Sequence, residues 1–332
     1  MKIRLAGGFE KIAALENLLE AWREFLPSKR NKRDVQEFQL RLMDNILSLR
    51  ADILNGTYRH GGYHAFNISD PKPRSIHKAA VRDRLLHHAI YRVLYPFFER
   101  TFISDSFSCR DEKGNHAALN QFRSFFHSVS ENNTKTCWVL KCDIRKFFAN
   151  IDHTTLLAIL HSYISDGETL SLLQEVIGSF SSTAPGVGLP LGNLTSQLFV
   201  NVYMNEFDQF VKHKLKVRHY IRYADDFVIL SSNREWLKII LPEMDAFLCN
   251  NLKLTMHPEK IFMKTAASGV DFLGWVHFPD HCVLRTATRR RMVKRLRVAG
   301  ERPEVRASYR GLLSHGNTYK ITREVFGPQA YN

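Results

Sequence analysis

Apolar positions recur at helical spacing through the first fifty residues. Ile12, Leu15, Leu18, Leu19 and Trp22 share one helical face, and the pattern resumes over residues 35–54. Leu26-Pro27-Ser28 separates the two runs, and Asn55-Gly56 ends the second. Tyr63–Ile68 alternates as a strand does, and Pro71-Lys72-Pro73 forbids a helix directly after it. Helix is predicted again over about 78–99. Trp138–Asp143 reads as a buried strand, followed by a helix from about Thr154. The Pro- and Gly-rich residues 185–192 precede a long apolar helix over 194–215. Two apolar runs, 219–223 and 227–230, flank Ala224-Asp225-Asp226. There is no internal repeat and no low-complexity segment. The mixture predicts an α+β chain with helical ends around a strand-containing middle.

The chain has 332 residues, 44% hydrophobic and 24% charged, a balance that forms a core and excludes disorder as the dominant state. Its length suits two or three structural units. Lys and Arg number 47 against 33 Asp and Glu, a net charge of +14, which points to nucleic acid or an anionic membrane. Lys2, Arg4, Glu10, Lys11 and Glu16 interrupt the first twenty residues, so no export signal is read there. No apolar stretch approaches the roughly 18–20 residues of a membrane span. Nucleic acid is therefore the expected polyanion, with no membrane partner. The five cysteines (Cys109, Cys137, Cys142, Cys249 and Cys282) include no Cys-x-x-Cys pair and suit reduced thiols in a cytosolic protein.

The charge is concentrated. Residues 285–310 hold ten basic groups, among them Arg285, Arg289, Arg290, Arg291, Lys294 and Arg295, against Glu301 and Glu304. A second run, Lys72, Arg74, Lys78, Arg82, Arg84 and Arg92, is opposed locally by Asp83 alone. A third is Lys29, Arg30, Lys32 and Arg33. A solvated helix face would carry interspersed acids, and Arg289 to Arg297 has none, so phosphate contact is expected there.

Asp225-Asp226 between two apolar strands is costly unless the chain turns and a cation absorbs the charge. On a regular strand the two carboxylates would face opposite sides, so a tight hairpin is required to present both at one edge. Asp143 ends the upstream apolar strand Val139-Leu140-Lys141-Cys142-Asp143. Three carboxylates from neighbouring strands form a hard-oxygen site that suits Mg²⁺ over zinc. A magnesium pair about 3.5–4 Å apart is the usual device for nucleotidyl transfer.

Tyr223-Ala224-Asp225-Asp226 resembles the Tyr-x-Asp-Asp box of reverse transcriptases. Asp143 followed by Phe148 resembles their Asp-x-x-x-x-aromatic motif. Leu254-Thr255-Met256-His257-Pro258-Glu259-Lys260 resembles the motif whose lysine lies near the leaving pyrophosphate. Asp271-Phe272-Leu273-Gly274-Trp275 resembles the primer grip, and the basic segment after residue 285 falls where a thumb belongs. Lys72-Pro73-Arg74-Ser75-Ile76 and Val81-Arg82-Asp83-Arg84 resemble the fingers motifs of bacterial, group II intron-like enzymes. The likeness runs in order over roughly residues 60–315. Within that family, Gly188-Leu189-Pro190-Leu191-Gly192-Asn193-Leu194-Thr195-Ser196-Gln197 carries Leu191 where most members have Gln and Gln197 where they have Pro. This is similar to the reverse transcriptases of diversity-generating retroelements, which copy a template RNA with frequent errors at adenines.

The resemblance implies a right-hand polymerase with fingers, palm and thumb. The palm would be an antiparallel sheet, with a helical fingers extension and a helical thumb. The expected division is 1–100 for the N-terminal extension and fingers, 101–282 for the palm with part of the fingers, and 283–332 for the thumb. It implies RNA-directed DNA synthesis with two Mg²⁺ ions, Mn²⁺ able to substitute, and dNTP substrates. Asp143 and Asp225 would hold the ions, with the Ile144 carbonyl completing one and Asp226 in support. Backbone amides from Arg145 through Lys146 and Phe147 to Phe148 would cradle the triphosphate, with Leu191 and Gly192 beside the nucleotide. Arg74 would clamp the outer phosphates, its planar fork matching their oxygens, and Lys260 would serve the leaving group. Phe148 would lie under the deoxyribose, Phe147 in the core. Phe272, Leu273 and Gly274 would grip the primer, and Arg289, Arg290, Arg291, Lys294 and Arg295 the phosphates of template and primer. The 72–92 run would line the nucleotide and template path.

The expected partners are template RNA, the RNA–DNA heteroduplex and a small, basic, oligomeric accessory protein, in the cytoplasm of a bacterial or phage-infected cell. Other bacterial reverse transcriptases (intron, defence or CRISPR-associated) are one alternative; the chain is expected to hold no maturase or endonuclease domain. A catalytically silent RNA-binding relative is another, disfavoured by the three aspartates together. Gly186, Gly188 and Gly192 do not form Gly-x-Gly-x-x-Gly, so no dinucleotide fold is read. His116 fits a family motif without a chemical role; His87, His88, His277 and His281 are expected to be surface or packing residues. Phe148→Ala is expected to admit ribonucleotides, measured as the dNTP/rNTP incorporation ratio; an unchanged ratio would remove Phe148 from that role.

Overall fold

The N-terminal helical pattern resolves into more elements than its periodicity predicts. In the computed structural model, which describes residues 3–69, 73–300 and 302–327, it forms α1 (Gly8–Ala13), α2 (Leu15–Phe25), α3 (Arg33–Leu40) and α4 (Leu42–Leu54). The break at Leu26-Pro27-Ser28 is present, with Ser28 at φ 62°, and Gly56 at φ 66° follows α4. The run expected over 35–54 divides at Arg41, whose φ −124°, ψ 46° is not helical. There the Asn45 side chain donates to the Phe38 carbonyl at 2.8 Å and replaces a helical bond.

Strands β1 (Tyr63–Ile68) and β2 (Arg74–Ala79) pair antiparallel, Tyr63 opposite Ala79 and Ile68 opposite Arg74. Lys72, at the tip, lies outside the described residues. Helix α5 (Val81–Glu99) begins later than residue 78, because Lys78 and Ala79 are held in the β1 ladder. The basic run between Arg74 and Arg92 is paired with acids from upstream. Lys78 and Arg84 each reach Asp34 at 2.6 Å, Arg82 reaches Asp52 at 2.5 Å, and Arg92 pairs with Glu24. Burial opposes ionisation of Asp34, yet Lys78 and Arg84 hold its carboxyl below the ordinary value. These four basic groups clamp α5 and β2 to α2–α4 and remain partly exposed. Arg74 is exposed.

The chain continues through α6 (Asn115–Val129), β3 (Trp138–Asp143), α7 (His153–Tyr163), α8 (Gly167–Gly178) and α9 (Leu194–Gln209). Then come β4 (Tyr220–Tyr223), β5 (Asp226–Ser231), α10 (Arg234–Leu252) and β6 (Phe262–Thr265). Asp152, Asp166 and Asn233 cap α7, α8 and α10 with their side chains. The sheet order is β4-β5-β3-β6, antiparallel throughout. Its residues alternate between two apolar cores. Leu140, Cys142, Tyr220, Phe227 and Ile229 face a core with α5, α9 and α10. Val139, Ile221, Val228 and Leu230 face a second core with α6 and the C-terminal elements. Those are the small sheet β7 (Val270–Phe272), β8 (Trp275–His277) and β9 (Cys282–Leu284), then α11 (Thr286–Ala299), α12 (Pro303–Leu313) and α13 (Tyr319–Phe326). Both cores draw on more than one of the segments 1–100, 101–282 and 283–332.

The β1–β2 hairpin is fastened to the loop before α9. His77 N–H donates to the Leu191 carbonyl at 3.1 Å, and the Asn193 amide donates to the His77 carbonyl at 3.4 Å. Gly192 has φ 106°, and a Cβ there would sit 2.9 Å from Ile76 Cγ2. Gly192→Ala is therefore expected to destabilise the protein by roughly 1–3 kcal/mol and to loosen the hairpin. A urea midpoint and a tryptic cleavage rate at Arg74 or Lys78 equal to those of the parent would contradict this docking.

Candidate active site

Tyr223 pairs with Asp226, leaving Ala224-Asp225 as a two-residue loop between β4 and β5. Ala224 takes φ 55° at the first loop position, where glycine is the usual occupant and a Cβ costs about 1–2 kcal/mol. The tight hairpin required to bring both carboxylates to one edge is thus present. Asp143 lies directly opposite Asp226 across β3–β5, and Ile144 N–H donates to the Asp225 carbonyl at 3.1 Å. Asp143, Ile144, Asp225 and Asp226 therefore meet at the end of the sheet, as expected.

Burial and the neighbouring Asp225 and Asp143, the latter also hydrogen-bonded to it, push Asp226 up to about 6, while Lys141 pulls it down. Lys260 Nζ sits 2.7 Å from Asp143 Oδ1. Residues 255–257 run beside Ile144 and place it there: His257 N–H donates to the Asp143 carbonyl at 2.8 Å and Arg145 N–H to the Thr255 carbonyl at 3.0 Å. The second bond is a correction, since it removes the Arg145 amide from the expected triphosphate cradle. Among the described residues, no three His, Cys, Asp or Glu side chains form a ready-made metal cage. Asp143 and Asp226 bond each other and Lys260 holds an Asp143 oxygen. The donor set nonetheless fits a hard divalent cation, which would relieve the same crowding that raises Asp226.

Lys146 is exposed, at φ 46°. Phe147 is buried in the core, and Phe148 is half-buried against it with its carbonyl accepting from Leu189 N–H at 2.8 Å. That bond brings the 188–192 loop, with Leu191 and Gly192, alongside the segment after Asp143. Among the described residues, no hydrogen bond joins Arg74 to the three aspartates.

Leu273 at φ 49° and Gly274 at φ 86° form the turn between β7 and β8. Phe272 is wholly buried against Phe122, ring centroids 5.4 Å apart. It shapes the turn and cannot itself touch a primer, unlike the half-exposed Leu273 and Gly274. Lys141 ties this hairpin to the carboxylates: its Nζ donates to the Asp271 carbonyl at 3.0 Å while its charge acts on Asp226. Residue types alone did not single it out. On α11, Arg289, Arg290, Arg291, Lys294 and Arg295 are all exposed. The acid absent from their own segment arrives from α13, where Glu324 pairs with Arg289 at 2.8 Å. Arg285 pairs with Asp271 at 3.0 Å. His277 is buried against Phe122, and His116 stacks on His315.

An antiparallel sheet backed by helices, with acidic groups at the end of its central strands, defines a palm-type polymerase. The fold is that of the right-hand polymerases. Telomerase from Candida tropicalis, truncated from its C-terminal domain, matches 73% of this chain and 60% of its own, at TM-score 0.50 and 12% identity. Candida albicans telomerase matches 71% of this chain and 50% of its own, at TM-score 0.50 and 11% identity. The family model for reverse transcriptase (RNA-dependent DNA polymerase) matches residues 69–277. The chain belongs to that family and is an RNA-directed DNA polymerase. Protein YkfC of Escherichia coli is 27% identical over 277 residues, 71% of this chain and 72% of its own. Group II intron-encoded protein LtrA of Lactococcus lactis is 24% identical over 281 residues, and this chain spans 45% of LtrA's length.

The raised Asp226 has a predictable signature. Its neutral form is favoured in the folded state, so its contribution is fully present below the unfolded value near 3.8 and is lost as pH rises through about 6. Relative to Asp226→Asn, the parent's melting temperature is expected to fall from pH 4 to 6.5 without divalent ions. Added Mg²⁺ should release protons in this window and stabilise the parent more as pH rises. Parallel pH profiles for parent and variant, with and without Mg²⁺, would contradict the assignment.

Proposed function

We propose that this polymerase copies template RNA into DNA at Asp143, Asp225 and Asp226 with two Mg²⁺ ions. We further propose that it is the error-prone enzyme of a diversity-generating retroelement. The observation that carries the first reading is the convergence of three carboxylates crowded enough to raise Asp226 to about 6. Bound there, the ions would lower the pKa of the primer 3′-OH and neutralise phosphate charge. The primer 3′-oxygen forms its bond to the α-phosphorus, the proton leaves that oxygen, and pyrophosphate departs. Lys260, already beside Asp143, supplies positive charge where the leaving group forms. The amides from Lys146 onward face the phosphates, Phe148 meets the sugar, and Leu273-Gly274 meets the primer. The exposed arginines of α11 hold the heteroduplex by its phosphates. An RNA template is supported by the family and by the Candida albicans neighbour, a complex with a fragment of telomeric RNA.

The retroelement reading rests on Leu191. A glutamine there could hydrogen-bond around the incoming nucleotide; leucine offers only shape, so mispairs are penalised less. The small basic accessory protein belongs to this reading. The likeness to LtrA favours a second one, a group II intron-type enzyme. Primer extension on a defined RNA template, with products sequenced, separates them. The parent is expected to extend with errors concentrated opposite adenine, Asp225→Asn to lose extension, and Leu191→Gln to raise fidelity at adenine. Accurate copying by the parent, or one error spectrum for parent and Leu191→Gln, would overturn the retroelement reading and leave the polymerase intact.

A further inference from the structure

Immediately before the Tyr223-Ala224-Asp225-Asp226 turn stands Arg222, an arginine with no exposed surface. All five of its N–H groups have partners. Nε donates to Asp208 Oδ1 at 2.8 Å. Nη2 donates to Asp208 Oδ2 at 2.7 Å and to Ser106 Oγ at 3.0 Å. Nη1 donates to Asn201 Oδ1 at 3.3 Å and to the Ala224 carbonyl at 3.2 Å. Tyr220 adds an O–H bond to Asp208 at 2.8 Å. The backbone is pinned as well: Arg222 N–H donates to the Asp105 carbonyl at 2.9 Å, and Phe107 N–H donates to the Arg222 carbonyl at 3.0 Å.

A charge this deep demands a countercharge and full hydrogen bonding. Asp208, Asn201 and Ser106 meet most of that demand. The bond to Ala224 goes further, because Ala224 is the left-handed residue of the turn and Asp225 follows it directly. We infer that Arg222 is a positioning residue. Its grip on the Ala224 carbonyl holds the left-handed turn and thereby aims Asp225, coupling the rigid α9 to the carboxylate site. The inference rests on the reading of Asp143, Asp225 and Asp226 as the cation-binding set. Lysine could keep the charge against Asp208, but a single nitrogen cannot span Asp208, Ser106, Asn201 and Ala224 together.

The test measures Mn²⁺ affinity by electron paramagnetic resonance on the full chain, beside thermal melting, heteroduplex affinity and single-turnover extension. Arg222→Lys is expected to bind Mn²⁺ about tenfold more weakly and to slow extension by a like factor, with heteroduplex affinity unchanged. Adding Ala224→Gly should recover at least about threefold of that loss, since glycine takes the turn without strain. A lower melting temperature with parental Mn²⁺ affinity would reduce Arg222 to a core ion pair and overturn the inference. So would an equal loss whether or not Ala224→Gly is present. Should Arg222→Lys fail to fold, Arg222→Gln combined with Asp208→Asn removes both buried charges together and with them the bond to the Ala224 carbonyl. It is expected to weaken Mn²⁺ about tenfold, and parental affinity would overturn the inference equally. If Asp225→Asn and Asp143→Asn bind Mn²⁺ as the parent does, the cation-site reading itself fails, whatever Arg222 does.

Discussion

The pairing of Asp143 with Asp226 across β3 and β5 is the constraint on which the rest depends. A one-residue slip would exchange the two faces of β5. Phe227 and Ile229 would then enter the second core, and Val228 and Leu230 the first. Because both faces of the sheet are buried, both cores resist that slip. The register that packs the sheet is thus the register that brings the carboxylates together. Stability and chemistry are specified by the same alternation of side chains.

Such crowding is unfavourable on its own, and the surroundings answer it with positive charge of two kinds. Lys141 is built into the sheet, bonded to the Asp271 carbonyl of β7, and its charge acts on Asp226. Lys260 comes from the segment after α10 and sits on Asp143, with its side chain about two-fifths exposed. The first is fixed by its own hydrogen bond. The second is a long side chain near solvent, able to leave without disturbing a core. One lysine is therefore a fixed part of the site, and the other a movable one.

Local patterns made the centre of the molecule legible. Trp138–Asp143 is a strand over just those residues, and the need for a tight turn at Ala224-Asp225 followed from the cost of two adjacent carboxylates. The burial of Phe147 was legible too. What escaped depends on partners distant in the chain. The Arg145 amide is taken by Thr255, Lys141 matters through Asp271, and Arg222 through Asp208 and Ser106. No window of a dozen residues holds both members of such a pair. The division of the second N-terminal helix at Arg41 was hidden for a different reason: Asn45 repairs the break, and its side chain looks like any surface amide.

Net charge shows the same limit. Counted along the chain, the runs 72–92 and 285–310 look alike, each basic with few acids nearby. Counted in space they differ. Asp34, Asp52 and Glu24 face the first run and convert it into a clamp between elements. The second lies on the exposed side of α11, where Met292 and Leu296 turn inward and the arginines outward. Glu324 and Asp271 reach Arg289 and Arg285, but through pairs between about a third and a little over half exposed. Exposed pairs contribute about 0–1 kcal/mol, little enough for a phosphate to replace the carboxylate. The pairs of α5 and β2 thus tie together elements that share one core, whereas Arg289–Glu324 joins α11 to α13 at the surface.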